Sequence, residues 1–182
     1  LTKRRFIFSK QRNNSTKSNF SRTNRRKTLS LQSFSRFYME FGKVYLFPTP
    51  IAEGNTEGQL PNENLQRLKE CDVFVVEELR TARRFLRKAG YGRDFAEVEF
   101  FVLNEHTLNE DLTPCIELIK EGKTVGVMSE AGLPCVADPG ATFVALCQRQ
   151  GIKVEPLVGP SSIMLALMAS GFNGQSFAFV GY

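Results

Sequence analysis

Tryptophan is absent from these 182 residues, histidine occurs once and cysteine four times. The missing tryptophan excludes nothing. The shortage of His and Cys argues against a metal centre, and the four cysteines (Cys71, Cys115, Cys135 and Cys147) form no C-x-x-C pair and no disulfide framework, so the reading is of reduced thiols in a cytoplasmic protein. No apolar run approaches the roughly 18 residues that a membrane-spanning helix needs. Two phosphate-binding signatures are also missing. No G-x-G-x-x-G follows the first strand pattern and no G-x-x-x-x-G-K-[ST] occurs anywhere, which argues against a phosphate-cradling loop.

Acidic residues are missing from one part of the chain. Residues 1–38 carry 11 Lys or Arg and no Asp or Glu, leaving 13 basic and 19 acidic residues in the remainder, a balance of −6. The formal net charge of +5 averages two unlike parts and says nothing about partners of the acidic body. The basic segment is rich in Arg, Ser and Asn, has no sustained period, and reads as disordered because it has too little to bury. A mitochondrial transit peptide and a nucleic-acid-binding arm are two readings of it. A third is preferred: the chain begins with Leu and Met39 stands where the globular pattern starts, so residues 1–38 read as upstream sequence outside the native protein.

From residue 39 to 182, β-rich runs alternate with helical patterns. The strands read "KVYLF" (43–47), "DVFVV" (72–76), "VEFFVL" (98–103), "TVGVM" (124–128), "KVEPLV" (153–158) and "FAFV" (177–180). Helices are expected near 61–70, 80–89, 111–121, 140–150 and 160–170, with Pro61, Pro139 and Pro160 in first turns and Gly90, Gly122, Gly151 and Gly171 just past the ends. Repeated strand–helix–strand order means an α/β fold: a mainly parallel sheet with helices on both faces. Ligands of such sheets bind at the carboxyl ends of the strands.

Five loops fall at that end, and all are rich in Gly, Pro, carboxylate or hydroxyl: 48–58, 77–84, 104–111, 129–140 and 158–164. The helix that opens in the second loop carries Arg80, Arg83, Arg84, Arg87 and Lys88 as one stripe. That stripe is either a solvated face or an RNA phosphate track with Arg83, Arg84 and Arg87 as contacts. His106, beside Glu105 and Asn104, suits proton handling. In "GVMSEAGLPCVADPGA" (126–141), Glu130 follows the fourth strand directly, two turns come in succession, and Asp138 is placed to cap the next helix with Pro139 at its first position. In "VGPSSIMLALMASG" (158–171), Gly159-Pro160 opens a helix whose free amides, with Ser161 and Ser162, face the same crevice, while its Met- and Ala-rich body reads as a buried packing helix.

Five segments in this order resemble the tetrapyrrole-methylase-like methyltransferases, and within them the branch that 2′-O-methylates a cytidine of small-subunit ribosomal RNA. That branch reads A-T-P-I-G-N-L where this chain has "PTPIAEG" (48–54), A-E-D-T-R-x-T-R-R-L-L for "VEELRTARRFL" (76–86) and H-E-H-N-E for "NEHTL" (104–108). It has S-D-A-G-T-P-L-I-S-D-P-G for "SEAGLPCVADPG" (129–140) and P-G-P-S-A for "VGPSS" (158–162). Departures fall at Ala52-Glu53-Gly54, Glu78-Leu79, Asn104 and Glu130, the pattern of a divergent paralogue, whereas Glu77, Arg80, Arg84, Glu105, His106, Gly132, Pro134, Asp138 and Pro139 are kept.

The resemblance implies S-adenosylmethionine as cofactor, held between this domain and a second, C-terminal α/β domain absent from this chain, within a homodimer. On that basis Pro50, Ile51, Ser129, Glu130, Ala131, Gly132, Leu133, Asp138, Pro160, Ser161 and Ser162 are the expected cofactor contacts. Glu77, Arg80 and His106 are the expected catalytic group, in a methyl transfer that needs no metal. The acceptor is expected in ribosomal RNA. A small molecule such as a tetrapyrrole, or an inactive cofactor-binding paralogue, are the alternatives.

Overall fold

In the computed structural model, residues 40–52, 56, 58–104, 107 and 109–181 are described. The basic segment 1–38, Glu105 and His106 lie outside the described residues. Five strands form the sheet: β1 (Val44–Phe47), β2 (Val73–Val76), β3 (Glu99–Val102), β4 (Val125–Met128) and β5 (Val154–Pro156). Their order is β3-β2-β4-β1-β5, and every pairing is parallel. Pro156, which has no amide to donate, sits on the edge strand β5, where the missing bond costs least.

The helices are α1 (Asn62–Leu68), α2 (Leu79–Lys88), α3 (Thr113–Lys120), α4 (Ala141–Arg149) and α5 (Ser162–Ala169). Alternation along the strands divides the core in two, because successive side chains leave a strand on opposite sides. Val44, Val73, Val75, Val125 and Val127 pack with Cys115, Ile116 and Ile119 of α3 and Phe143 and Cys147 of α4. Tyr45, Phe47, Phe74, Val76 and Met128 pack with Leu68 of α1 and Ala82 and Leu86 of α2. Helices therefore cover both faces. All four cysteines are free thiols, and burial pushes Cys115 and Cys147 up to about 12.

Three expectations about the elements fail. The run 177–180 forms no strand: it is exposed and is paired with neither sheet edge, β3 or β5. The helix α5 buries none of its residues, and Met168 is 78% exposed, because no described segment lies over its apolar surface. Each proline precedes its helix instead of occupying the first turn: Pro61 is the cap residue of α1, and Pro160 stands ahead of Ser161, whose hydroxyl caps α5 by accepting from the Met164 N–H at 3.4 Å. At α4 the cap is Gly140, with φ of 129°, and Pro139 lies outside the helix. No described helix is long and apolar enough to cross a membrane.

The core tolerates little added volume at the centre of β4. A methyl group on Gly126 would lie 2.7 Å from the Phe74 ring and 3.0 Å from that of Phe47. Gly126→Ala is expected to cost about 1–3 kcal/mol through overpacking, read as a lower urea midpoint at unchanged slope; an unchanged midpoint would show that the two rings yield freely.

Candidate functional site at the carboxyl ends of the strands

Adjacent strands β1 and β4 deliver their following loops side by side, and the loops are tied by backbone. Thr49 N–H donates to the Gly132 carbonyl at 2.9 Å, Gly132 N–H donates back to the Thr49 carbonyl at 3.1 Å, and the Thr49 hydroxyl donates to the Ser129 carbonyl at 3.3 Å. Gly132 has φ of 78°, which only glycine adopts readily, and a side chain there would press on Ile51 at 3.3 Å. The loop after β5 closes in from the other side. A methyl group on Gly159 would lie 2.1 Å from Pro48, and the Pro160 carbonyl faces Gly132. Asn64, buried on α1, donates to the Val158 carbonyl at 2.8 Å and fixes the start of that loop.

The loop after β2 joins through its carboxylates. Glu130 N–H donates to Glu77 Oε2 at 3.2 Å, and Thr81 Oγ1 donates to Glu130 Oε1 at 3.2 Å. Glu78 caps α2, accepting from the amides of Arg80 and Thr81, and these bonds hold its carboxyl below the usual range. Arg80 is exposed on the first turn.

Asp138 does not cap α4, as the sequence pattern suggested. The second turn of the loop instead returns it, half-buried, towards Ser129, Glu130 and Glu77. That return runs through Cys135 and Ala137 at φ of 67° and 60°, left-handed values that non-glycine residues seldom take. Burial pushes the Asp138 carboxyl up, the Ser129 hydroxyl pulls it down, and Glu130 adds repulsion. The Ser129 hydroxyl lies close enough to exert that pull without closing a bond of good geometry, and it remains a buried group with no hydrogen-bond partner. Burial likewise raises Glu77, opposed by the Glu130 amide and reinforced by the charges of Asp138 and Glu130.

Three hollows open around this cluster. Ala131, Gly132, Leu133, Asp138, Ser161 and Ser162 line one of about 50 Å³. Glu77, Asn104, Ala137, Asp138 and Pro139 line a second of about 530 Å³, which draws in the loop after β3. The third, of about 580 Å³, lies between the first loop and α2 and includes Pro50, Ile51, Thr81, Arg84 and Glu130. Of the expected cofactor contacts, Ser129 and Pro160 line none of these hollows and the other nine do, whereas the arginine stripe is divided. Arg84 faces the third hollow, whereas the Arg83 guanidinium stacks over Phe100 at 5.1 Å and that of Arg87 over Phe95 at 5.1 Å. Sequence reasoning missed the part played by Thr49, whose signal was only its place between two prolines, and that of Phe95 and Phe100 in seating arginines.

Among the described residues, no group of three or more His, Cys, Asp or Glu is arranged to hold a metal ion. What converges is a set of backbone amides and carbonyls, serine hydroxyls and partly desolvated carboxylates. This donor set suits a polar ligand that carries positive charge.

The profile of the Tetrapyrrole (Corrin/Porphyrin) Methylases matches residues 56–180. A protein of Thermotoga maritima named "Ribosomal RNA small subunit methyltransferase I" is 34% identical over 141 residues, covering 78% of this chain and 60% of its own length. Proteins of the same name from Bacillus subtilis and Vibrio cholerae are 33% and 32% identical, covering 79% and 76% of this chain and 46% of their own length in each case. The chain thus spans about half the length of these curated relatives. With a profile match over most of its residues and this level of identity to named members, the chain belongs to the tetrapyrrole (corrin/porphyrin) methylase family.

Proposed function

We propose that this chain is the N-terminal α/β part of an S-adenosylmethionine-dependent methyltransferase that modifies a ribose hydroxyl of ribosomal RNA. The observation that carries the reading is the convergence of the loops after β1, β4 and β5 through the Thr49–Gly132 bridge and the Gly159–Pro48 contact. Two further facts favour RNA over a small molecule: the named relatives are ribosomal RNA methyltransferases, and the third hollow has a cationic edge at Arg84 and Lys88. On this reading the whole enzyme carries a second domain, forms a homodimer and works in the cytoplasm; the chain itself spans about half the relatives' length.

The residues present fit the cofactor. The buried Ser129 hydroxyl beside Asp138, and the hollow bounded by Gly132, Leu133, Ser161 and Ser162, offer backbone and hydroxyl groups. Carboxylates at Glu130 and Asp138 favour a ligand bearing ammonium and sulfonium charge. When bound, S-adenosylmethionine supplies an electrophilic methyl group. The chain's own contribution is alignment, for which well-placed reactants give roughly 7–11 kcal/mol. Glu77, held by the Glu130 amide and with a raised pKa, takes the proton of the acceptor hydroxyl. Arg80, on the first turn of α2, engages a neighbouring phosphate. His106 completes the expected catalytic group.

Three outcomes are expected with the full-length protein. Calorimetry should show S-adenosylmethionine binding that Gly132→Ala weakens at least tenfold, since the substitution strains a left-handed backbone and crowds Ile51; undiminished binding would place the cofactor elsewhere. Glu77→Gln should lower methyl transfer to ribosomal RNA by roughly 10²–10⁴-fold and leave cofactor affinity within about twofold, followed by radiolabel incorporation and calorimetry; lost affinity would make Glu77 a binding group.

The third concerns pH. A base must be deprotonated, so the rate should climb with pH along a limb set above the ordinary carboxylate range, and Glu77→Gln should abolish that limb. Stability should move oppositely. Glu77 and Asp138 hold protons more tightly folded than unfolded, so their contribution is present below the unfolded carboxylate pKa and is lost as pH rises through the raised folded values. Thermal melts across that window should therefore show Glu77→Gln gaining on the parent as pH rises.

A further inference from the structure

The groove between the first loop and α2 does more than add positive charge. Its inner end is closed by Glu130 and Thr81, which are bonded to one another, next to the carboxylates of the candidate site. Its floor is Pro50, Ile51 and Phe85, and its outer rim is Arg84 and Lys88, one turn apart on α2. Set into the wall is Thr56, 4% exposed, whose hydroxyl has no hydrogen-bond partner. A buried hydroxyl without a partner is costly to keep and calls for a role that explains it.

From this arrangement we infer that the groove seats a single unpaired nucleotide of the acceptor strand, with its base against Ile51 and Phe85, Thr56 reading a polar edge of that base, and its phosphate held by Arg84 and Lys88. The inference rests on the RNA reading above and adds which part of the strand is held. A volume of about 580 Å³ lies within the range of sites for small ligands, roughly 300–1,000 Å³, and admits one nucleotide rather than a duplex. An apolar floor with a cationic rim is what unpaired nucleic acid requires, because bases stack on apolar and aromatic side chains while cations follow the phosphates. The phosphate lies at the Arg84 and Lys88 rim, and the ribose lies towards the end of the groove at Glu130 and Glu77. Arg83 and Arg87 take a different part, since their guanidiniums are seated on Phe100 and Phe95.

The test uses the full-length protein, a short fluorescein-labelled unstructured RNA, and the same RNA annealed to its complement, in anisotropy titrations over a range of salt. Arg84→Ala is expected to weaken binding of the single strand about tenfold and to flatten the salt dependence by roughly 0.7 in logarithmic slope, the share of one phosphate on a single strand. Arg84→Lys should restore most of the loss. Thr56→Val should weaken binding with no change in salt slope, and Arg149→Ala, which removes a cation from the last turn of α4, should change neither quantity. Cofactor affinity, measured on each variant, should stay at the parental value and so report an intact fold. Single-strand binding that survives Arg84→Ala, or a preference for the duplex, would overturn the groove assignment and leave the RNA reading standing. A parent protein that binds S-adenosylmethionine but neither RNA would overturn both.

Discussion

The site depends on the reciprocal pair of backbone hydrogen bonds between Thr49 and Gly132. Because β1 and β4 are neighbours in a parallel sheet, both chains leave at the same end, and without a tie each loop would be free to splay into solvent. The bridge extends the pairing of the two strands beyond Phe47 and Met128, so loop geometry is inherited from sheet geometry. Glycine at 132 permits it in two ways: its positive φ turns the chain back, and its missing side chain leaves room for Ile51. Every other element of the site is placed relative to that tie. Ser129 and Glu130 precede it, Asp138 returns to it, and Pro160 closes over it.

Such a pocket collects negative charge where solvent cannot fully relieve it. Glu77 and Asp138 are each raised chiefly by burial, and each feels the charge of Glu130. These are costs to the folded state, and the loop adds another through the left-handed backbone at Cys135 and Ala137. A protein selected for stability alone would remove them by trivial substitutions, such as glycine at 137. Strain and unpaired charge gathered at one end of an otherwise regular sheet mark where the fold serves a ligand instead of itself.

The fold was legible in the sequence because its signals are local and repeated. Five short β-branched or aromatic runs, each followed by a helical pattern and most by a glycine stop, leave little choice but a parallel sheet. Where non-local facts decide, the reading failed. The run 177–180 has strand composition but joins neither edge of the sheet, and composition does not report which segments reach an edge. Helix α5 is apolar on all sides, and composition cannot say whether anything described lies over it. Asp138 sits where caps are common, but Gly140 takes the cap because the chain must pass close to Cys135, where a Cβ at 140 would lie 2.7 Å from the sulfur. The motifs point to loops that the fold gathers at one end of the sheet, but helical periodicity could not show that the arginine stripe is divided. The rings of Phe95 and Phe100 that divide it come from a segment beyond α2 whose position no helical periodicity reports.

The division of the stripe has an energetic basis. A guanidinium over an aromatic face covers apolar surface, so Arg83 and Arg87 stabilise the α2–β3 side of the domain, Arg83 at the cost of a buried Nε without a partner. Arg84 lies one residue on from Arg83, about 100° around the helix, and cannot reach those rings. It projects over the groove instead, with Lys88 one turn later on the same line. The groove floor beneath Arg84 is apolar, and the carboxylates lie at its far end. On the proposed reading a phosphate with an unpaired base completes it, and the same helix that is fastened to the sheet by two arginines is held rigid enough to present the third.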